Sequence, residues 1–138
     1  MSEYDPKVRT RTLARIIGPY LLIVGTALLT RQQMLVAMLP DFMHQSGLVF
    51  FAGAFTVLAG LILLTAHHRW TSPAAIVVTL MGAAAVLKGA WLMLAPEWGA
   101  EVTNSFVTSP TAMISAAAFE LLIGAWLTFV GWVARRPA

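Results

Sequence analysis

Residues 47–66 read GLVFFAGAFTVLAGLILLTA, twenty positions without a charged side chain. At about 1.5 Å per helical residue the run is about 30 Å long, the thickness of a bilayer's hydrocarbon core. Three further stretches share this character: Leu13 to Thr30, Pro73 to Ala95 and Thr111 to Ala134. In lipid every backbone N–H and C=O must be satisfied within its own segment or by a closed barrel. Barrel strands alternate apolar and polar residues, and these stretches do not. The sequence therefore predicts an all-α bundle of four transmembrane helices.

Composition agrees. The 138 residues are 59% apolar and 11% charged, and the mean hydropathy is +0.78. Soluble domains carry about 45–50% apolar and about 25% charged residues. A soluble enzyme, a disordered tail and a nucleic-acid-binding domain are excluded on these grounds. Cysteine is absent, which removes disulfides, thiolate catalysis and Cys-ligated metals. Pro73 and Pro110 occupy first-turn positions, Thr71-Ser72 and Ser109 offer capping hydroxyls, and Pro96 and Pro137 follow helix ends. The first apolar segment lies behind a polar arm and lacks a small-x-small cleavage site, so it reads as a retained helix and not a signal peptide.

The basic residues report orientation. Lys7, Arg9, Arg11, Arg15, Arg69, Arg135 and Arg136 fall on one side of the four spans, and only Arg31 on the other, beside Asp41, Glu97 and Glu101. The positive-inside rule then places both termini in the cytoplasm. Trp70 and Trp132 are expected as anchors at the inner interface and Trp98 at the outer one. The basic edge accounts for the pI of 10.0 and should attract anionic lipid.

Sliding the chain over itself by 64 residues gives ten identities between 18–63 and 82–127. Gly18 aligns with Gly82, Gly25 with Gly89, and Gly60 with Gly124. The run Ala54-Phe55-x-x-Leu58-x-Gly60 returns as Ala118-Phe119-x-x-Leu122-x-Gly124. This predicts a single membrane domain with a basic arm (1–12) and two parallel tandem hairpins, 13–66 and 73–134. Each hairpin carries an outer segment. Segment 33–46 contains Met34, Leu35, Met38, Leu39, Phe42 and Met43 at helical spacing, broken by Pro40, and reads as a short interfacial helix. Its counterpart, Glu97 to Ser109, would complete a lid over the outer end.

Each predicted span holds two glycines seven residues apart: Gly18 and Gly25, Gly53 and Gly60, Gly82 and Gly89, Gly124 and Gly131. Seven residues are nearly two turns, so each pair lies on one stripe. Small stripes let helices approach closely in lipid, where no hydrophobic drive brings them together. The alternative is a pore lining or a hinge. Leu63 is expected to face lipid.

Two ionisable residues interrupt the spans: Lys88, about 10 Å from the outer end of the third, and Glu120, about 14 Å from that of the fourth. Such residues mark an ion or substrate path by default. The reading preferred over that path is an interhelical Lys88–Glu120 clamp, direct or through one water, expected because the third and fourth spans share a hairpin; Lys88 snorkelling outward or contact with another subunit is the third. His67 and His68 are adjacent and point about 100° apart, and His44 lies on the opposite side, so no metal or haem site is expected. No catalytic motif is present, and no cofactor is expected.

His67-His68-Arg69-Trp70, Val78-Thr79-Leu80-Met81-Gly82 and Leu87-Lys88-Gly89 resemble a group of small bacterial four-helix integral membrane proteins of unassigned activity. Members end the second helix in a histidine followed closely by tryptophan and carry a Lys-Gly pair in the third. This chain has His67-His68 where the group has His-Asn. Glu120-Leu-Leu-Ile-Gly124 is similar, more faintly, to the DoxX-type four-helix proteins. The resemblance implies architecture and a bacterial inner-membrane setting, and no activity. Two roles follow: a non-catalytic structural or accessory protein packing against itself or a larger membrane complex, or a small oligomeric transporter or channel using Lys88 and Glu120.

Overall fold

Four helices begin on a proline, whose missing N–H would have no partner in the first turn in any case. A computed structural model describes residues 6–66 and 72–134, and these form six helices and no strand. They are α1 (Pro6–Thr30), α2 (Gln32–Met43), α3 (Ser46–Ala66), α4 (Pro73–Leu94), α5 (Pro96–Val107) and α6 (Pro110–Thr128). A π-helical turn, Phe129–Val133, continues α6. Ser72 and Ser109 cap α4 and α6 by accepting from the N–H groups of Ala75 (3.2 Å) and Ala112 (3.3 Å). Thr56 and Thr128 return their hydroxyls to the carbonyls of Ala52 and Gly124 at 2.7 Å, so neither hydroxyl is left free on an apolar face. α1, α3, α4 and α6 (with its π turn) are long and apolar enough to cross a membrane.

Three boundaries differ from expectation. The basic arm is helical from Pro6, so α1 starts seven residues early, with a proline at its first position. Pro40 lies inside α2 without breaking it. Pro40 stands in the last turn, where its missing N–H costs a single ladder bond. Pro96 does not simply follow α4; it opens α5 after the one-residue joint Ala95.

The main helix contacts are α3 with α4 and α1 with α6. This corrects the expectation that the two long helices of one hairpin, α4 and α6, are close neighbours. The two pairs join at both ends. At the end holding the N-terminus of α1, Ala14, Ile17 and Leu21 bury against Ala74 and Val78 of α4 and Leu127 of α6. At the other end α2 packs on α5, with Gly99 seated against the Met43 side chain. Leu63 packs against the buried cluster and is not lipid-facing. The outward faces carry Phe55, Leu87, Leu94, Phe119 and Leu122, as a bundle surrounded by hydrocarbon requires.

Candidate functional site

All eight stripe glycines are buried, and each faces a neighbouring helix. In α3/α4, a Cβ on Gly60 would stand 2.8 Å from the Gly82 carbonyl oxygen and 2.8 Å from the Val86 nitrogen. One on Gly89 would stand 2.6 Å from the Gly53 oxygen and 2.7 Å from the Val57 nitrogen. Backbone thus lies on backbone, and a methyl group has nowhere to go. In α1/α6 a Cβ on Gly124 meets the Leu22 nitrogen at 2.9 Å and the Gly18 oxygen at 3.0 Å, while one on Gly25 meets the Ala117 oxygen at 3.1 Å. Gly18 faces Thr128, and Gly131 faces the backbone of Arg15, whose nitrogen a Cβ would meet at 2.8 Å.

Lys88 and Glu120 are not brought into a direct pair. Among the described residues neither forms an ion pair within 4.0 Å. Lys88 precedes Gly89, which faces α3, and its own side chain is exposed on α4. Glu120 is half-buried on α6, and its Oε2 is enclosed without a hydrogen-bond partner. The separation follows from the helix pairing: α4 is drawn onto α3 and α6 onto α1, so their facing stripes point to other partners.

Of the interface tryptophans, Trp98 on α5 and Trp132 in the π turn are exposed. Trp70 lies outside the described residues, as do His67, His68, Arg69, Thr71, Arg135, Arg136 and Pro137. Among the described residues no three His, Asp or Glu side chains gather.

Sequence reasoning missed one polar cluster. Arg11 and Arg15 both donate through Nε to the Gly131 carbonyl, at 2.9 and 2.7 Å. The Arg15 guanidinium lies 5.4 Å from the centre of the Trp132 ring, and Trp132 Nε1 donates to the Arg15 carbonyl at 3.4 Å. The last carbonyls of a helix lack internal donors and carry partial negative charge, so two cations suit them. The readable signal was the i, i+4 spacing of the arginines, which puts both on one face of α1. Comparison with known protein families, curated proteins and solved structures finds no match to this chain.

Proposed function

We propose that the chain is a non-catalytic membrane protein of the bacterial inner membrane, a structural or accessory subunit packing against itself or a larger membrane complex. Both termini lie in the cytoplasm, and the basic end meets anionic lipid. One observation carries the reading: Lys88 is exposed on α4, as are the apolar Leu80, Leu87, Trp91 and Leu94 of that helix, and among the described residues it forms no ion pair. A lone charge at such a depth costs at least about 2.5–3.5 kcal/mol on insertion scales. A carboxylate or polar group from a neighbouring protein removes that cost. The seven-to-one split of Lys and Arg supports the orientation, and the likeness of the motifs within 67–89 to the bacterial group supports the setting.

A tandem repeat is part of the proposal. A shift of 64 residues carries Gln32–Met43 onto Pro96–Val107 and the end of α1 at Thr30 onto the end of α4 at Leu94. It also converts the contacts of one helix pair into those of the other. Gly60 on Gly82 becomes Gly124 on Gly18, Gly53 on Gly89 becomes Ala117 on Gly25, and Leu64 on Gly82 becomes Thr128 on Gly18. Each repeat gives one helix to each pair.

The test is the mass of a C-terminally tagged chain recovered from its host in mild detergent. Association with unrelated subunits, or a stable homo-oligomer weakened by Lys88→Met, is expected; a strict monomer overturns the accessory reading. Reporter fusions after Ala138 should read as cytoplasmic and those near Glu101 as external, and the reverse overturns the orientation.

A second reading, a small oligomeric transporter or channel, has its own support in the enclosed, unpartnered Oε2 of Glu120. Buried carboxylate oxygens are ordinarily hydrogen-bonded. Ion flux into vesicles that is lost in Glu120→Gln, with the fold intact, would favour it.

A further inference from the structure

We infer that Arg11, Arg15 and the π-turn at Gly131 form a binding site for one phosphate group at the basic end of the bundle. Both arginines spend Nε on a single carbonyl oxygen, so the two cations are held no farther apart than the lengths of those two bonds allow. Close backbone approach makes this possible, because Gly131 lies directly against the main chain of Arg15. The π-turn sets the carbonyl's direction, with Ala134 N–H donating to the Phe129 oxygen at 2.9 Å.

Two like charges fixed so near one another call for an anion, and the described residues offer none. Asp41, Glu97 and Glu101 belong to α2 and α5 at the opposite end, and Glu120 is eleven residues back along α6, about 16 Å away. Beyond Nε, each guanidinium retains its two terminal nitrogens, and no further partner engages them among the described residues. A guanidinium presents these donors as a planar fork that matches phosphate oxygens. Holding each arginine by its Nε also fixes the fork in advance, so little side-chain freedom remains to be lost on binding. Trp132, 62% exposed beneath Arg15, supplies the aromatic ring that sits well at headgroup depth.

A phosphate can arrive on an anionic lipid or free in solution, and the experiment separates them. The lipid arm rests on the membrane reading above; the inorganic-phosphate arm does not. The purified chain in neutral detergent is offered phosphatidylglycerol or phosphatidylcholine, and retained lipid is counted by native mass spectrometry. One phosphatidylglycerol should be kept in preference to phosphatidylcholine. R11Q/R15Q should weaken its retention about tenfold or more, whereas K7Q/R9Q, which removes the same charge from the neighbouring arm, should change it less than about twofold. Displacement of the lipid by millimolar inorganic phosphate, or a thermal shift with phosphate in the wild type alone, assigns the site to free phosphate. Equal losses in the two double variants would reduce the effect to diffuse charge and overturn the site. So would the absence of both lipid preference and a phosphate shift. Should R11Q/R15Q fail to fold, R15K carries the test. It keeps the charge and loses the fork, so retention should fall about threefold or more, and unchanged retention overturns the proposal.

Discussion

The two helix pairs are built on matching contacts but carry different loads. In α3/α4 both crossing points are glycine on glycine, and the apolar Leu64 side chain sits over Gly82. In α1/α6 only Gly18 and Gly124 meet as glycines; Ala117 takes the place of Gly53, and Thr128 that of Leu64. That second pair then ends in the π-turn with its two arginines and bears Glu120 halfway along. The lesson is that close backbone approach at two points suffices to define such a pair. In lipid, packing replaces the hydrophobic drive, so positions outside the crossings are free to take polar duties.

If the pairs are equivalent, Gly60→Leu and Gly124→Leu should be the most damaging changes and nearly equal. Each drives a side chain into backbone atoms closer than 3.0 Å or at that distance, so a loss of about 3 kcal/mol is expected in detergent melts. A large inequality would break the comparison. A finer test uses the corresponding positions Gly18 and Gly82. A methyl group on Gly18 would lie 2.5 Å from the Thr128 nitrogen, but one on Gly82 meets the Leu64 side chain at 3.1 Å, which can give way, and the Gly60 oxygen at 3.4 Å, an ordinary contact. Gly18→Ala should therefore cost about 1–3 kcal/mol and Gly82→Ala under about 1 kcal/mol. Equal costs would mean that α1 can slide on α6.

Smaller effects are expected at the charges. With no direct ion pair, the double-mutant cycle of Lys88→Met and Glu120→Gln should give a coupling below about 1 kcal/mol. A value above about 2 kcal/mol would show the head groups meeting and α4 lying closer to α6. Least of all should be Leu122→Phe, at a residue 73% exposed and facing outward. It should change stability by no more than about 0.5 kcal/mol, and it replaces Leu63 as the lipid-facing control. A larger loss would indicate that this face is covered by another protein.

Most of the fold was legible because its signals are local. Apolar run length, first-turn prolines and capping serines mark Pro73 and Pro110 whatever surrounds them. The glycine spacing was equally plain, since seven residues define a stripe on any helix. The partner of each stripe was not. Gly53 and Gly60 could have met α1, α4 or α6, and only the assembled bundle selects α4. The direct Lys88–Glu120 ion pair is missing for the same reason, since matched depth says nothing of azimuth or of which helix lies alongside.

The sequence by itself determined that the chain is helical, that four segments are long and apolar enough to span a bilayer, and where small residues form stripes. Those properties follow from the hydrogen-bonding demands of a backbone in hydrocarbon and from the helical period, and neither needs a neighbour. The tertiary structure alone decided that α1 pairs with α6 and α3 with α4, leaving Lys88 exposed and Glu120 Oε2 enclosed without a hydrogen bond. It also brought Arg11 and Arg15 to a carbonyl more than a hundred residues away. Pairing is a competition among surfaces of similar chemistry, settled by which backbones can come closest, and that geometry exists only once all four helices are in place.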